Sequence, residues 1–461
     1  MPWPPLALAA LTLVGSTAAL RLPLGAAHVL LLALASLAGL ALARLAVGAR
    51  GRGPIVVALL VGGMLRCSVA LHDERHSDDL YRYLWDGRVQ QAGLNPYRDP
   101  PSAPRLAPLR EPWFDRINHP TLRTVYPPLA ELAFATVRRL PGDPARGWRL
   151  ASAAAELLTS GLLWSWLRRR GRERLTLLWW CAPLVAWELW GDAHVDGLAL
   201  LALAAALLVF EGEAARWRQA VGGAALGLSL AAKPVALVLL VVDGRTRRAT
   251  ALLALLGTLA LAYASISEPE INPLGSLGEY GRRWRANAGA FAVVEGGTTW
   301  LLAQLGPGPY PVPRWLGGLA GGEARPALYL DEAAGALART IVGLLWLGSL
   351  LALRRRFSRP QLACAAVLLF LLLVPTVHPW YVLWVLPFAL ASDGGFATAA
   401  LLFVALAPLG YWPLAAYRVG GGWHEPLWTR LVAHGLPWAL VLRSAVHAAR
   451  DPRLSASRDL T

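Results

Sequence analysis

Two neighbouring carboxylates, Asp78 and Asp79, are the residues best suited to chemistry, and they open the polar run SDDLYRYLWDG in a strongly apolar chain. Residues four apart share a helix face, so Arg82 and Asp86 would line up with Asp78. A carboxylate can take the proton of an attacking hydroxyl as a general base. We assign this role first to Asp78 and otherwise to Asp79, with Arg82 and Asp86 binding hydroxyl groups or holding that base in place. The structural alternative is that the two acids, preceded by Ser77 as N-cap, only stabilise the start of a helix.

Lys233 is the second candidate, because it is the only lysine among 44 basic residues. A compact ammonium in a chain that otherwise uses arginine indicates a point charge for a phosphate. Lys233 also precedes Pro234 within the apolar stretch from Val221 to Val242, and proline in mid-segment breaks or kinks a helix. We expect a phosphate-binding role at this break. The alternative is a lone lysine whose ammonium reaches out to the membrane surface.

Histidines mark two further polar interruptions of apolar sequence. His194 and Asp196 lie in the run WGDAHVDG, where they could contact phosphate or sugar, supply nitrogen and oxygen ligands to a metal ion, or cap a helix end. Two ligands are too few to assign a metal site, so no metal-binding residue is predicted and a divalent cation is left open. His378, beside Trp380 and Tyr381, either binds phosphate as an imidazolium or lies in the interfacial aromatic belt.

The two acids belong to a long polar segment, His72 to Leu129. Ionisable groups cost ~2.5–3.5 kcal/mol each at the centre of a bilayer, so this segment is expected outside the membrane. The pattern predicts an amphipathic helix after Ser77 that lies at the membrane surface. A second surface helix is predicted from about Tyr126 to Leu140, with Pro127 and Pro128 in its first turn.

Composition indicates the class of protein that carries this segment. The chain has 461 residues, of which 56% are hydrophobic and 16% charged, as is typical of a polytopic membrane protein. The net charge of +15 is then expected in cytoplasmic loops, and no basic stretch alternates with aromatics as single-stranded nucleic-acid binding requires. Three isolated cysteines argue against a disulfide framework.

Arginine-rich links fall at alternate ends of the apolar stretches, which the positive-inside rule interprets as cytoplasmic loops across about 12–14 spans. On this topology the His72–Leu129 loop, the polar break at His194 and a second loop from Ser267 to about Leu337 all face the exterior. Leu175 to Trp190 is predicted to be one span, and Phe291 to Leu305 a helix of the second loop. No repeat or second domain is evident, so residues 1–461 are expected to form a single domain.

The SDD run, followed by Asn95-Pro-Tyr97 and Tyr126-Pro-Pro128, resembles the first external loop of GT-C glycosyltransferases. These multi-spanning enzymes take sugars from polyprenyl-phosphate donors. The likeness is closest to bacterial polyprenyl-phosphomannose-dependent mannosyltransferases, whose H-P-W-Y element is similar to the sequence at His378. GPI mannosyltransferase I is a more distant likeness, and it has a similar lysine followed shortly by proline.

The resemblance implies site residues within the loop. Asp78 and Asp86 match the first and last acids of the eukaryotic pattern T-D-I-D-Y with a later F-T-D. The second acid of its D-x-D falls on Leu80, while Asp79 stands one place earlier, so the resemblance leaves open which of the two acids is the base. Tyr126 is implied to lie among the substrate-binding residues.

From these features we expect an all-α, GT-C-like membrane glycosyltransferase. It would move a hexose, by resemblance mannose, from a polyprenyl-phosphate donor to a lipid-linked or cell-envelope glycan acceptor at the external face of the plasma (inner) membrane. The alternative is a transporter or flippase of lipid-linked sugars, which would also be polytopic with broken helices. The concentration of acids in one external loop and the lack of internal repeats favour the enzyme.

Overall fold

The computed structural model describes residues 3–72, 76–211, 215–306, 308–311 and 327–450. Part of the predicted second loop, and Arg453 and Arg458 of the C-terminal tail, lie outside these residues. The chain separates into two units, residues 1–275 with 404–423 and residues 276–403 with 424–461. The single domain expected from the sequence stays a prediction.

Helices account for most of the described structure. The first twelve are α1 (Trp3–Arg21), α2 (Ala26–Gly48), α3 (Gly53–Ala70), α4 (Asp79–Gln91), α5 (Pro128–Arg139), α6 (Pro144–Arg168), α7 (Thr176–Trp180), α8 (Pro183–Ala186), α9 (Asp196–Phe210), α10 (Arg216–Ala232), α11 (Leu237–Val242) and α12 (Ala249–Ala264). The rest are α13 (Leu277–Arg283), α14 (Gly289–Ala303), α15 (Leu330–Leu353), α16 (Arg359–Leu373), α17 (Leu386–Leu390), α18 (Gly395–Leu406), α19 (Trp412–Arg418), α20 (Leu427–Arg430) and α21 (Leu436–Arg450). Two strands of two residues each, β1 (Tyr310–Pro311) and β2 (Ala327–Leu328), pair antiparallel.

Several helices have the length and hydropathy of membrane spans. Among the described residues these are Pro4–Arg21, Ala26–Gly48, Gly53–Ala70, Leu330–Leu353 and Gly395–Arg418. Pro183–Gly191 and Asp196–Phe210 add a sixth span if this pair, bent by 118°, is counted as one. The described residues are mostly helical and include several helices that fit a multi-pass membrane protein. The count of about 12–14 spans stays a prediction.

Two breaks in the first unit position polar residues. The break predicted at Lys233 is confirmed: α10 ends at Ala232, Lys233 is extended, and a 3-10 turn at Pro234–Ala236 leads into α11. The prediction of one continuous span over Leu175–Trp190 was wrong. The chain instead forms α7, restarts at Pro183 as α8 and passes into a π-turn at Trp187–Gly191, since proline starts a helix more readily than it continues one.

The predicted helix after Ser77 is present as α4, but two details differ. It begins at Asp79 with Asp78 in the N-cap position, and Ser77 contributes its hydroxyl oxygen as acceptor for the Asp79 amide at 3.2 Å. The polar face of the helix is not exposed, because Arg82 and Asp86 are both buried. Helix α5 covers one side of α4, and the 3-10 turns at Pro104–Leu109 and Phe114–Arg116 cover another.

An aromatic cluster fixes α4 against α5 and α6. Tyr83 stacks on Phe134 with ring centroids 4.6 Å apart, and Trp148 meets both rings edge-on. Gly87 permits the close approach of the helices, because a Cβ there would lie 2.7 Å from the Phe134 carbonyl oxygen. The start of α4 is therefore held rigidly, which matters because Asp79 is its first residue.

The second unit contains the predicted helix of the second loop, confirmed as α14. Preceding it, Ala286 forms a parallel bridge with Thr376, which ties this segment to the turn before His378. The Tyr280 and Tyr381 hydroxyls lie 2.9 Å apart.

Candidate active site

Asp79 lies at the centre of a polar cluster in the first unit. Its Oδ2 is 3.6 Å from Nδ1 of His194, and its Oδ1 accepts a hydrogen bond from the Asn118 side chain at 3.2 Å. The side chain of Asp79 is 21% exposed, so it is held from two sides and still reachable by another molecule.

His194 reaches Asp79 through the conformation of the broken helix that carries it. Its amide donates to the Glu188 carbonyl at 2.8 Å across the end of the π-turn. Ala193 adopts a positive φ of 54°, and the Trp148 indole donates to its carbonyl at 2.7 Å. A π-turn and a left-handed residue are costly conformations that recur at functional sites, and here they bring His194 into a fully buried position.

Lys233 joins the same cluster from the break after α10. Its ammonium lies 3.7 Å from Oδ2 of Asp196, the first residue of α9, and its side chain is 13% exposed. The ammonium also lies 5.7 Å from the centre of the Tyr126 ring. Helices α9 and α10 pack together, with the Ser229 hydroxyl donating to the Ala199 carbonyl at 2.9 Å, and this contact sets the position of the break.

Electrostatics favour the ionised form of Asp79. Burial alone would raise its pKa, but the hydrogen bond and charge of His194, together with the charge of Lys233, outweigh burial and hold the pKa well below its usual value. Asp79 is therefore a carboxylate at neutral pH, able to accept a hydrogen bond from a substrate hydroxyl.

Asp78 has different surroundings from its neighbour. Its side chain is 44% exposed and lies 3.5 Å from Arg418. Burial raises its pKa, and Arg418 partly opposes this shift. The sequence favoured Asp78 as the base and kept Asp79 as the alternative. The two acids lie in different environments, and the one that contacts His194 is Asp79.

Arg82 and Asp86 form a buried ion pair at 2.9 Å. Arg82 also donates to the Leu122 carbonyl at 3.0 Å. Of the two roles considered for this pair, its burial favours holding the base in place over binding sugar hydroxyls. Next to it lies Glu131, which the sequence reading missed; it accepts from the Thr124 hydroxyl at 2.5 Å.

His378 belongs to the second unit, where its ring stacks on Trp380 at 4.5 Å and meets Tyr381 edge-on. His194, Asp196, Lys233 and Tyr126 are the predicted residues that the structure gathers around Asp79 in the first unit. Asn118 and Glu188 are additional members. Glu188 lies 3.3 Å from Nε2 of His194, and its place inside an apparent span hid it from the sequence reading.

This arrangement combines an ionised carboxylate, an ammonium and aromatic rings in a helical protein of multi-pass type. Such a set suits transfer of a group from a phosphate to a hydroxyl, in which one proton is taken and one anion leaves. The fold and the cluster thus fit the class of helical membrane transferases.

Comparison with known proteins adds a match over part of the chain. Residues 75–246 match the family model described as alpha-(1->6)-mannopyranosyltransferase, N-terminal domain, a GT-C-type polyprenyl-phosphomannose-dependent family. The resemblance stated from the sequence is confirmed over this segment, which contains α4 and both polar breaks, and the protein is a glycosyltransferase enzyme. No curated protein and no solved structure matches the chain.

Proposed function

We propose that this enzyme moves a mannosyl group from a polyprenyl-phosphate donor to a glycan or glycolipid acceptor at the external face of the membrane. The observation that carries the proposal is one cluster in which Asp79 lies 3.6 Å from His194 and the Lys233 ammonium lies 3.7 Å from Asp196, with 21% of the Asp79 side chain exposed. Asp79 suits the incoming hydroxyl and Lys233 suits the outgoing phosphate.

In the proposed step, the Asp79 carboxylate accepts the proton of the acceptor hydroxyl. The freed oxygen electron pair bonds to the anomeric carbon of mannose, while the bond from that carbon to the phosphate oxygen breaks. The lipid phosphate leaves with that electron pair, and the Lys233 ammonium neutralises the developing charge. His194 and Asn118 keep the Asp79 carboxylate oriented.

Three features support a lipid-linked donor. The cluster lies at breaks in apolar helices, where a polyprenyl chain can lie along the membrane while its phosphate meets Lys233. The chain lacks the phosphate-cradling motif G-x-x-x-x-G-K-[ST]. The positive-inside rule assigns the loop before α5 to the exterior, where nucleotide sugars are scarce.

The test is transfer of labelled mannose by the purified protein in lipid nanodiscs, with polyprenyl-phosphomannose and a nucleotide-activated mannose as separate donors and a membrane glycolipid extract as acceptor. We expect transfer from the lipid donor and none from the nucleotide donor. Transfer from the nucleotide sugar alone would overturn the donor assignment. Movement of lipid-linked sugar across the bilayer without transfer would favour the flippase alternative.

A further inference from the structure

A second group of buried side chains lies on the far side of His194 from Asp79. Glu188, Asp192 and His194 each offer one ligand atom, and these atoms lie within 4.8 Å of one another. Their exposures are 0%, 2% and 0%. The proposed transfer step uses neither Glu188 nor Asp192, so their burial beside the active-site histidine needs a separate explanation.

The distances suit a shared ion. His194 Nε2 is 3.3 Å from Glu188 Oε2. Two ligand atoms that are each about 2.1 Å from one metal ion, at tetrahedral or octahedral angles, stand roughly 3.0–3.4 Å apart. The π-turn at Trp187–Gly191 and the hydrogen bond from the His194 amide to the Glu188 carbonyl keep these two side chains on the same side of the chain.

Asp192 independently favours a cation at this cluster. Its Oδ1 accepts from the His76 amide at 2.9 Å, but its Oδ2, although buried, accepts no hydrogen bond from the described residues and lies 3.7 Å from His76 Nδ1. A buried carboxylate oxygen without a hydrogen bond is costly. A cation bound there would satisfy it.

The charges of the cluster also favour a bound cation. Glu188, Asp192 and Asp196 are buried carboxylates, and Asp79 is next to them. The facing polar groups are the Lys233 ammonium, the imidazoles of His76 and His194, and the Tyr411 hydroxyl, which donates to the Glu188 carboxylate at 2.7 Å. Lys233 is the only permanently cationic side chain among these, so a bound cation would add to the positive charge that faces the acids.

We propose that Glu188, Asp192 and His194 bind one divalent transition-metal ion, of the Mn²⁺ or Zn²⁺ type. A mixed set of imidazole and carboxylate ligands suits these ions, whereas Mg²⁺ and Ca²⁺ prefer oxygen alone. Three protein ligands leave coordination positions open, as in catalytic metal sites. Metal binding does not depend on which acid is the base or on the identity of the donor.

A metal ion on His194 would also account for the contact between Asp79 and His194. With the metal on Nε2, the proton of the ring is confined to Nδ1, from which it can donate to Asp79. Metal-bound histidines are commonly oriented by a carboxylate in this way, and removal of such a partner lowers metal affinity by about 10–100-fold. The rival explanation is an imidazolium at His194 that bridges Asp79 and Glu188 without any metal.

The experiment is elemental analysis of the protein purified through a peptide tag that contains no histidine, before and after equilibration with Mn²⁺ or Zn²⁺ and gel filtration. We expect about one ion per chain, a loss of at least tenfold in Glu188→Gln and Asp192→Asn, and weaker binding by about 10–100-fold in Asp79→Asn. Asp243→Asn, which changes a buried acid paired with Arg245 outside the cluster, is the matched control and should keep its metal.

Wild-type protein also tests the proposal without any substitution, in case a variant does not fold. A chelator should lower the melting temperature, and Mn²⁺ or Zn²⁺ should restore it; Co²⁺ loading should give a visible absorption band. No bound ion after equilibration, or equal binding in the Glu188→Gln and Asp243→Asn proteins, would overturn the metal site and leave the imidazolium explanation. Either result leaves the donor assay unaffected, so the two proposals fail separately.

Discussion

Asp79 Oδ2 lies 3.6 Å from His194 Nδ1, so the first residue of α4 meets the break between the π-turn and α9. Two polar stretches that are distant in sequence are thereby joined at one point. The pairing assigns the predicted acid chemistry to one of two adjacent residues, and that assignment can be tested.

Asp79→Asn should reduce transfer by ~10²–10⁴-fold, the usual loss when a general base is removed, because asparagine keeps the shape but cannot take the proton. Asp78→Asn is the matched control, and we expect a smaller loss because Asp78 faces Arg418. Initial rates with labelled donor in nanodiscs measure both, with membrane insertion checked for each protein. A larger loss in Asp78→Asn would move the base by one residue, and wild-type rates in both would remove this loop from the chemistry.

Lys233→Ala should weaken donor use by roughly ten- to hundredfold, since a hydrogen bond to a charged group contributes about 1.5–3 kcal/mol. Lys233→Arg should lie between the wild type and the alanine variant, because the charge is kept while the head group becomes larger and flat. The measurement is initial rate against donor concentration. Arg283→Ala, which removes an exposed cation, should change donor use little. An equal loss in Arg283→Ala and Lys233→Ala would indicate general charge attraction and not a phosphate site.

The sequence predicted which polar segments form this site, but not which of their residues contact one another. The lone lysine beside a proline and the polar run at His194 both marked helix breaks, because neither composition suits the interior of a span. What it could not supply was the choice between Asp78 and Asp79. Neighbouring positions on a helix point about 100° apart, so the choice depends on which face meets the chain around residue 194.

Glu188 illustrates a second limit of sequence reasoning. A single acid within an apolar stretch is compatible with a membrane span, so the sequence gives Glu188 no special role. The Glu188 side chain faces His194 because the helix restarts at Pro183 and then passes into the π-turn. The burial of Arg82 and Asp86 was hidden for a related reason. Their helical spacing indicated a polar face correctly, but whether loop residues cover that face depends on long-range packing.

Gly87→Ala should destabilise the first unit, because the added Cβ would lie 2.7 Å from the Phe134 carbonyl oxygen and overpacking of this kind costs about 1–3 kcal/mol. The matched control is Gly161→Ala, at a helical glycine of α6 with open space around it, which should be neutral or slightly stabilising. Melting temperatures in the same detergent compare the two. Equal melting temperatures would contradict the close crossing of α4 and α5.

The orientation of the chain can be tested by cysteine labelling. Cysteines at Arg98 and Arg283 should react with a membrane-impermeant maleimide from outside the cell, whereas those at Arg170 and Arg355 should react only after lysis, as the positive-inside rule requires. The unsubstituted protein, with its three cysteines, sets the background. Reaction of the Arg98 and Arg170 positions from the same side would refute the proposed external site.

The last prediction concerns pH and Glu131. Burial, reinforced by the charge of Asp86, raises the pKa of Glu131 well above its usual value, against the opposing hydrogen bond from Thr124. A raised pKa means that the folded protein holds a proton that the unfolded chain releases above the ordinary carboxyl pKa of about 4.3. Stability should therefore fall as pH rises above that value, by at most about 1.4 kcal/mol per pH unit. The fall should end once pH exceeds the folded pKa.

Glu131→Gln, which carries no titrating proton, should flatten this part of the profile of melting temperature against pH. Glu173→Gln, at a site outside the buried network, should not. Parallel profiles for the wild type and Glu131→Gln would show that Glu131 is ionised in the folded protein.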